Sequence, residues 1–345
     1  VFKNINNIPL ALSYDDVLLV PQYSEIKSRS NVDLSTQITP HVKLNLPIIS
    51  INMSDVTGVK MAISLGKLGG LGFLPRFVSI EDQANMVSVV KKSSVFTAAA
   101  IGIKDGYMER AEALANAGVD ILTVDVAHGH MLHNLEVTQE LKRRFGKTID
   151  IISGVVGTEN GASDLFRYGA DSVRVGVGPG TICITRIVTG SGVPQITAIM
   201  NAVKAARKWK RSILCDGGTK NSGDIVKGLA AGSSAVIIGS QLAGTDEAPG
   251  EEIIKDDVKY KRYNASTSIT EKKKQSSSTN IEGVESLVPY KGSLAKVIES
   301  LTANIRSGFS YSGAKNIEEL WKRSEFIRVT SLGARENASH DVVLL

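Results

Sequence analysis

The chain has 345 residues, 42% of them apolar and 22% charged, with a formal net charge of +5 and two cysteines. This is the composition of a globular protein with a large core. It excludes a disulfide scaffold and contains no apolar run long enough to span a membrane. No signal peptide is read, although the sequence opens on Val rather than Met, and the expected setting is reducing and cytoplasmic. Basic residues are dispersed apart from "EKKKQ" (271–275). A small anion such as a nucleotide therefore fits the charge better than a nucleic acid, and neither nucleic acid nor membrane is expected as a partner.

In chain order, short β-branched runs recur at "PIISINM" (47–53), "GGLGFL" (69–74) and "VFTAAAIG" (95–102). They continue inside "ALANAGVDILTVDVAHG" (113–129), at "DIISGVVG" (150–157), inside "LFRYGADSVRVGVGPG" (165–180), at "SILCDGG" (212–218) and inside "GLAAGSSAVIIGSQLAG" (228–244). Helical patterns lie between them, as at 81–92, 107–117 and 197–208. In three of these stretches a helix ends in Gly, a buried run follows, and another Gly turns the chain. Helices alternating with doubly buried strands imply a parallel sheet, and eight such units imply an α/β fold, the (β/α)8 or TIM barrel. An open doubly wound sheet is the competing architecture, but no Gly-x-Gly-x-x-Gly follows the first strand. Residues 250–290 are polar, and 264–280 are too rich in Ser, Thr and Lys for core, which suggests a flap, lid or disordered stretch. Helical periodicity resumes after 292 and is expected to pack back on the barrel. The whole of 1–345 is read as one catalytic barrel domain.

A barrel of this kind places its active site at the carboxyl ends of the strands. Three glycine-rich strand ends fall there: "GVGPGTICITR" (176–186), "CDGG" (215–218) and "IGSQ" (238–241). Unobstructed backbone N–H groups in such loops suit a phosphate. Asp216 repels phosphate but accepts hydrogen bonds from a ribose diol. Cys215, next to Leu214 within a strand, reads as core filler. Cys183 lies in a loop near backbone donors, with Thr185 two residues on. The pattern alone leaves it open between a nucleophile and a small apolar filler.

These residues also carry a resemblance. "GVGPGTICITRIVTGSGVPQITAI" (176–199) closely resembles the cysteine loop of the IMP dehydrogenase and GMP reductase family. "LSYDDVLLVPQYSEI" (12–26), "VDVAHGH" (124–130), the stretch 214–251 and "FIRVTSLGARENASHDV" (326–342) are similar to it as well. The resemblance implies a (β/α)8 barrel, usually a homotetramer, that binds GMP or IMP. It implies that Cys183 attacks carbon 2 of the purine and that Thr185 handles the ammonia or water exchanged there. It places Glu282 at the purine N1 edge. Thr181, Gly218, Gly239, Ser240 and Tyr263 would hold the phosphate, with Gly217 and Met53 completing the substrate contacts and Asp216 on the ribose. Asp125, with Ala127 and His128, would meet the nicotinamide cofactor. The carbonyls of Gly178, Gly180 and Cys183 resemble a potassium site, chiefly a feature of the dehydrogenases.

The branch is read from the flap. Eighteen residues separate Tyr263 from Glu282, about as few as in reductases, and none of them is Arg or Tyr. The Arg-Tyr pair used as a hydrolytic base in dehydrogenases has its only match in Arg262-Tyr263, where Tyr263 is assigned to phosphate. "TGSG" (189–192) and the Asn-Met of "INMSDVTG" (51–58) also resemble reductases. "VPYKGSL" (288–294) and the "GARENASHDV" tail resemble bacterial dehydrogenases. Asn264-Ala265 replaces the family's Gly-Met, and Arg76 stands where many reductases carry Lys. No room is left after "VVKKSS" (89–94) for the CBS modules that many relatives insert. The expected activity is an NADPH-dependent GMP reductase. The alternatives are IMP dehydrogenase with NAD and potassium, or a catalytically silent nucleotide-binding barrel.

Overall fold

A computed structural model describes residues 8–274 and 280–337. Gln275 of the basic run and residues 338–342 of the tail motif lie outside the described residues. Eight parallel strands close into a barrel: β1 (Ile48–Ser50), β2 (Leu71–Leu74), β3 (Ala98–Ile101), β4 (Ile121–Asp125), β5 (Asp150–Val156), β6 (Ser172–Val175), β7 (Ser212–Asp216) and β8 (Ala235–Ile238). Each pairs with the next in sequence, and β8 returns to β1 with Ile237 opposite Ile49. Every strand expected from the apolar runs is present. The alternating helices are α1 (Val59–Lys67), α2 (Ile80–Lys91), α3 (Tyr107–Asn116), α4 (Leu132–Phe145), α5 (Glu159–Arg167), α6 (Gln195–Trp209), α7 (Ser222–Ala230) and α8 (Leu294–Tyr311). The fold is a (β/α)8 barrel. The open doubly wound sheet is ruled out by the closed ladder.

Local chemistry sets the helix ends. Ser79, Thr158 and Asn221 cap α2, α5 and α7 by accepting an N–H from the first turn. Gly232 leaves α7 at φ +115°, as its counterparts Gly118 and Gly169 leave α3 and α5 at positive φ. α2 passes to β3 through residues 92–97 alone.

The barrel interior is a small apolar cluster containing Ile49, Leu71, Phe73, Ile121, Ile152, Leu214 and Ile237. A hairpin of Thr36–Gln37 and Lys43–Leu44 adds Ile38, Val42 and Leu44, so it plugs the amino-terminal end. Truncating Phe73 to alanine would cost about 3–5 kcal/mol. One outer cluster joins the outward faces of β1 and β5–β8 to α5, α6, α7 and α8, and a second joins those of β2–β4 to α2, α3 and α4. α8 packs on α7 as its periodicity suggested; Gly308 lies against Val226. Among the described residues no helix is long and apolar enough to cross a membrane.

The described residues of the polar stretch carry regular structure that its composition did not signal. Strands Glu252–Lys255, Val258–Arg262 and Leu287–Pro289 form an antiparallel sheet, and a short helix covers Ile269–Lys274. Asn264, Ala265 and Ser268 are buried, although 264–280 was expected to contribute no core. Hydrogen bonding explains this: Asn264 N–H donates to Asp55, and Ser268 N–H donates to the Ala265 carbonyl. Polar residues thus pack by satisfying backbone groups rather than by hydrophobicity.

Candidate active site

The period of two along each strand decides which side chains reach the mouth of the barrel. Leu214 lies in the interior cluster, so Asp216, two residues further along β7, faces inward above it. Ile121 and Asp125, four residues apart on β4, share the inward face in the same way. Between the two carboxylates lies Arg174 of β6, only 2% exposed. Its Nε and Nη2 donate to one oxygen of Asp216 at 2.9 and 2.6 Å, and its Nη1 donates to Asp125 at 3.1 Å. Arg76, following β2, donates to the other Asp125 oxygen at 3.2 Å. Burial opposes the Asp125 charge, but Arg174 and Arg76 outweigh it and lower its pKa. At Asp216 burial dominates and raises the pKa despite Arg174. Burial also opposes the Arg174 charge, yet the two carboxylates raise its pKa.

Cys215 lies between Leu214 and Asp216 and therefore faces the helix layer, not the mouth. Its Sγ accepts a hydrogen bond from the Tyr14 hydroxyl at 3.6 Å, and burial pushes the thiol pKa up to about 11. The filler reading of Cys215 fits this environment.

Cys183 belongs to the loop after β6, just before a short helix, Thr185–Thr189. Its Sγ donates to the Thr185 hydroxyl at 3.2 Å, which donates to the Glu282 carboxylate at 2.6 Å. Glu282 arrives from the far end of the flap because the two segments pair as an antiparallel bridge. Ile184 N–H donates to the Glu282 carbonyl, Val284 N–H donates to the Ile182 carbonyl, and Cys183 lies opposite Gly283. A Cβ at Gly283 would sit 2.1 Å from that of Ala265, so this pairing requires glycine. The flap's one Arg-Tyr pair is engaged elsewhere. Arg262 bonds Asp55 at 3.3 Å and Glu251 at 3.0 Å, while the Tyr263 hydroxyl lies against Gly239.

One cavity gathers Met53, Gly180, Thr181, Cys183, Gly217, Gly218, Gly239, Ser240, Tyr263 and Glu282. Thr185 stands behind Cys183 and Glu282, and Asp216 lies next to Gly217 beneath the cavity. Asp125 is across the mouth, with Ala127 and His128 exposed on the loop after β4, apart from the cavity lining. Gly178 is also outside that lining, and the Gly180 carbonyl accepts the Cys183 N–H. A wider cleft of about 770 Å³ lies at the amino-terminal end, against Lys43, Arg211 and Trp321. It contains none of the strand-end residues. Arg174 was missed by sequence reasoning, although it is the single charge inside the apolar run "SVRVGV". Asp55 was missed as well, and no local pattern marks it.

The sequence matches the IMP dehydrogenase / GMP reductase domain model over residues 11–340. The chain belongs to this family. Inosine-5'-monophosphate dehydrogenase of Cryptosporidium parvum is 38% identical to it, with 98% of this chain and 97% of the relative covered. GMP reductase of Leishmania donovani is 31% identical, with 98% of each covered. Among solved structures, a cysteine-to-alanine GMP reductase of Trypanosoma brucei in complex with guanosine 5'-monophosphate superposes with a TM-score of 0.94 at 29% identity. That match covers 99% of this chain and 100% of the other. Members of the IMP dehydrogenase/GMP reductase family are oxidoreductases of purine nucleotides that use nicotinamide cofactors. The strand-end cavity described above is the candidate site for that chemistry here.

Proposed function

We propose that this protein is an NADPH-dependent GMP reductase, converting GMP to IMP and ammonia. The supporting observation is the flap: it contributes Glu282 to Thr185 and Cys183, while Arg262 is engaged by Asp55 and Glu251 and the Tyr263 hydroxyl lies against Gly239. A hydrolytic dehydrogenase needs a base to activate water, and the stretch between Tyr263 and Glu282 holds neither Arg nor Tyr.

Thr181, Gly217, Gly218, Gly239, Ser240 and Tyr263 bind the phosphate through hydroxyl and N–H donors, and Asp216 accepts from the ribose. Met53 packs against the base. The Cys183 sulfur bonds to purine carbon 2 as the amine leaves. The thiol proton passes through Thr185 to Glu282 and departs with ammonia, so that the step balances. Asp125, Ala127 and His128 would hold NADPH; a carboxylate at the mouth suits sugar hydroxyls. Bound there, NADPH would supply the hydride for carbon 2. Glu282, reprotonated from solvent once ammonia has left, returns a proton through Thr185 to the sulfur as the carbon–sulfur bond breaks. The neutral carbonyls of Gly178, Gly180 and Cys183 are a donor set suited to potassium. The homotetramer expected from the resemblance is part of this proposal.

IMP dehydrogenase is the second reading, favoured by the 38% identity to the Cryptosporidium parvum enzyme. The test is product analysis. GMP with NADPH should yield IMP and ammonia, and IMP with NAD should yield no XMP. XMP from the second mixture alone would overturn the proposal. GMP binding without either reaction would point to the silent barrel.

A further inference from the structure

Arg174 lies outside the cavity lining, yet it holds a carboxylate of each subsite. Asp216 and Asp125 sit on β7 and β4, which are not neighbours in the barrel, so no shared ladder of backbone hydrogen bonds fixes one against the other. The guanidinium spans the gap. It is planar and rigid, with its donors in a fixed fork, so a turn that improves one end moves the other. The Phe73 ring, 5.6 Å from its Cζ, and the Thr123 hydroxyl, 3.5 Å from Nη1, limit that turn. The Asp216 end is the tighter one, with two bonds onto a single oxygen that leave the other oxygen without an arginine partner. The Asp125 end is shared: it takes a single bond from Arg174, and Arg76, Asn52 and solvent also reach the carboxylate.

We propose that Arg174 is a positioning residue that couples the two subsites, so that a nucleotide held at Asp216 orients the guanidinium and, through it, Asp125 for the cofactor. This rests on the subsite assignment made above. The first ligand to bind orders the fork, and the second then binds a site already set. Because the coupling is thermodynamic, the cofactor must raise nucleotide affinity by the same factor as the nucleotide raises cofactor affinity.

The test uses the intact enzyme with GMP and NADP+, a pair with no hydride to transfer. Calorimetry gives the Kd of GMP without and with saturating NADP+, and the Kd of NADP+ without and with saturating GMP. In the wild type both ratios should be about tenfold and equal. Arg174→Lys keeps the charge but loses the fork. Each ligand should still bind alone, more weakly, and the ratio should fall to about one. A purely structural role would weaken both ligands and leave the ratio intact, which overturns the proposal. If Arg174→Lys does not fold, Asp216→Asn provides the second variant, and its ratio should fall likewise. A wild-type ratio of one overturns the coupling without any variant. Failure of either ligand to bind the wild type alone would instead overturn the subsite assignment, and the coupling with it.

Discussion

Cys183 and Cys215 have the same functional group and opposite fates. Cys215 lies within β7 between two inward-facing residues, so strand alternation turns its thiol outward under α7, where burial raises its pKa to about 11. Cys183 follows β6 in a loop, half-buried, with a hydroxyl and a carboxylate in line behind its sulfur. The difference teaches that position relative to a strand end, not residue type, makes a thiol available for chemistry in this fold. Each cysteine can be used to break that contrast.

The largest effect is expected at Cys183. Cys183→Ser should lower turnover on the order of 10⁴-fold while nucleotide binding, measured by calorimetry, stays within a few-fold. Cys215→Ala should leave turnover close to wild type. Comparable losses in the two variants would remove the distinction. Next come the groups behind the sulfur. Thr185→Val and Glu282→Gln should each lower kcat about 10²–10⁴-fold, the range for a positioned proton-transfer group, with small changes in KM. A smaller effect belongs to alkaline stability. The folded Cys215 pKa lies above the ordinary thiol value of about 9, so the unfolded chain loses this proton first as pH rises. Stability from this group is therefore intact below pH 9 and declines between pH 9 and about 11, by up to ~3 kcal/mol. Denaturant melts across that window should show a shallower decline in Cys215→Ala; identical slopes would contradict the burial argument. At neutral pH Cys215→Ala should cost about 1–2 kcal/mol, read as a lower denaturant midpoint.

Much of the architecture was legible because it repeats. Gly after a helix, a β-branched run and a second Gly recur three times in full, and the other runs share their length. Local signals of that kind survive folding. The helix boundaries moved by a residue or two, as at Ile80–Lys91 against 81–92. What lay beyond the sequence was pairing at long range. The bridge of Cys183 with Gly283 joins residues a hundred positions apart, and Arg174 meets Asp125 and Asp216 only because the barrel closes. The order of the flap was obscured because the buried residues just beyond its sheet, Asn264 and Ser268 among them, are held by hydrogen bonds rather than by an apolar pattern. The pairing of Val17–Leu19 with Phe326–Arg328 likewise carried no signal in the sequence, because each strand is three residues long.

The central claim is that purine carbon 2 exchanges an amine for a hydride over Cys183. Incubation with GMP and NADPH deuterated at both C4 positions tests it most directly, by mass spectrometry of the nucleotide product. The account predicts IMP carrying one deuterium at carbon 2, absent with the Cys183→Ser variant. IMP without deuterium, or the same labelled product from Cys183→Ser at the wild-type rate, would contradict it.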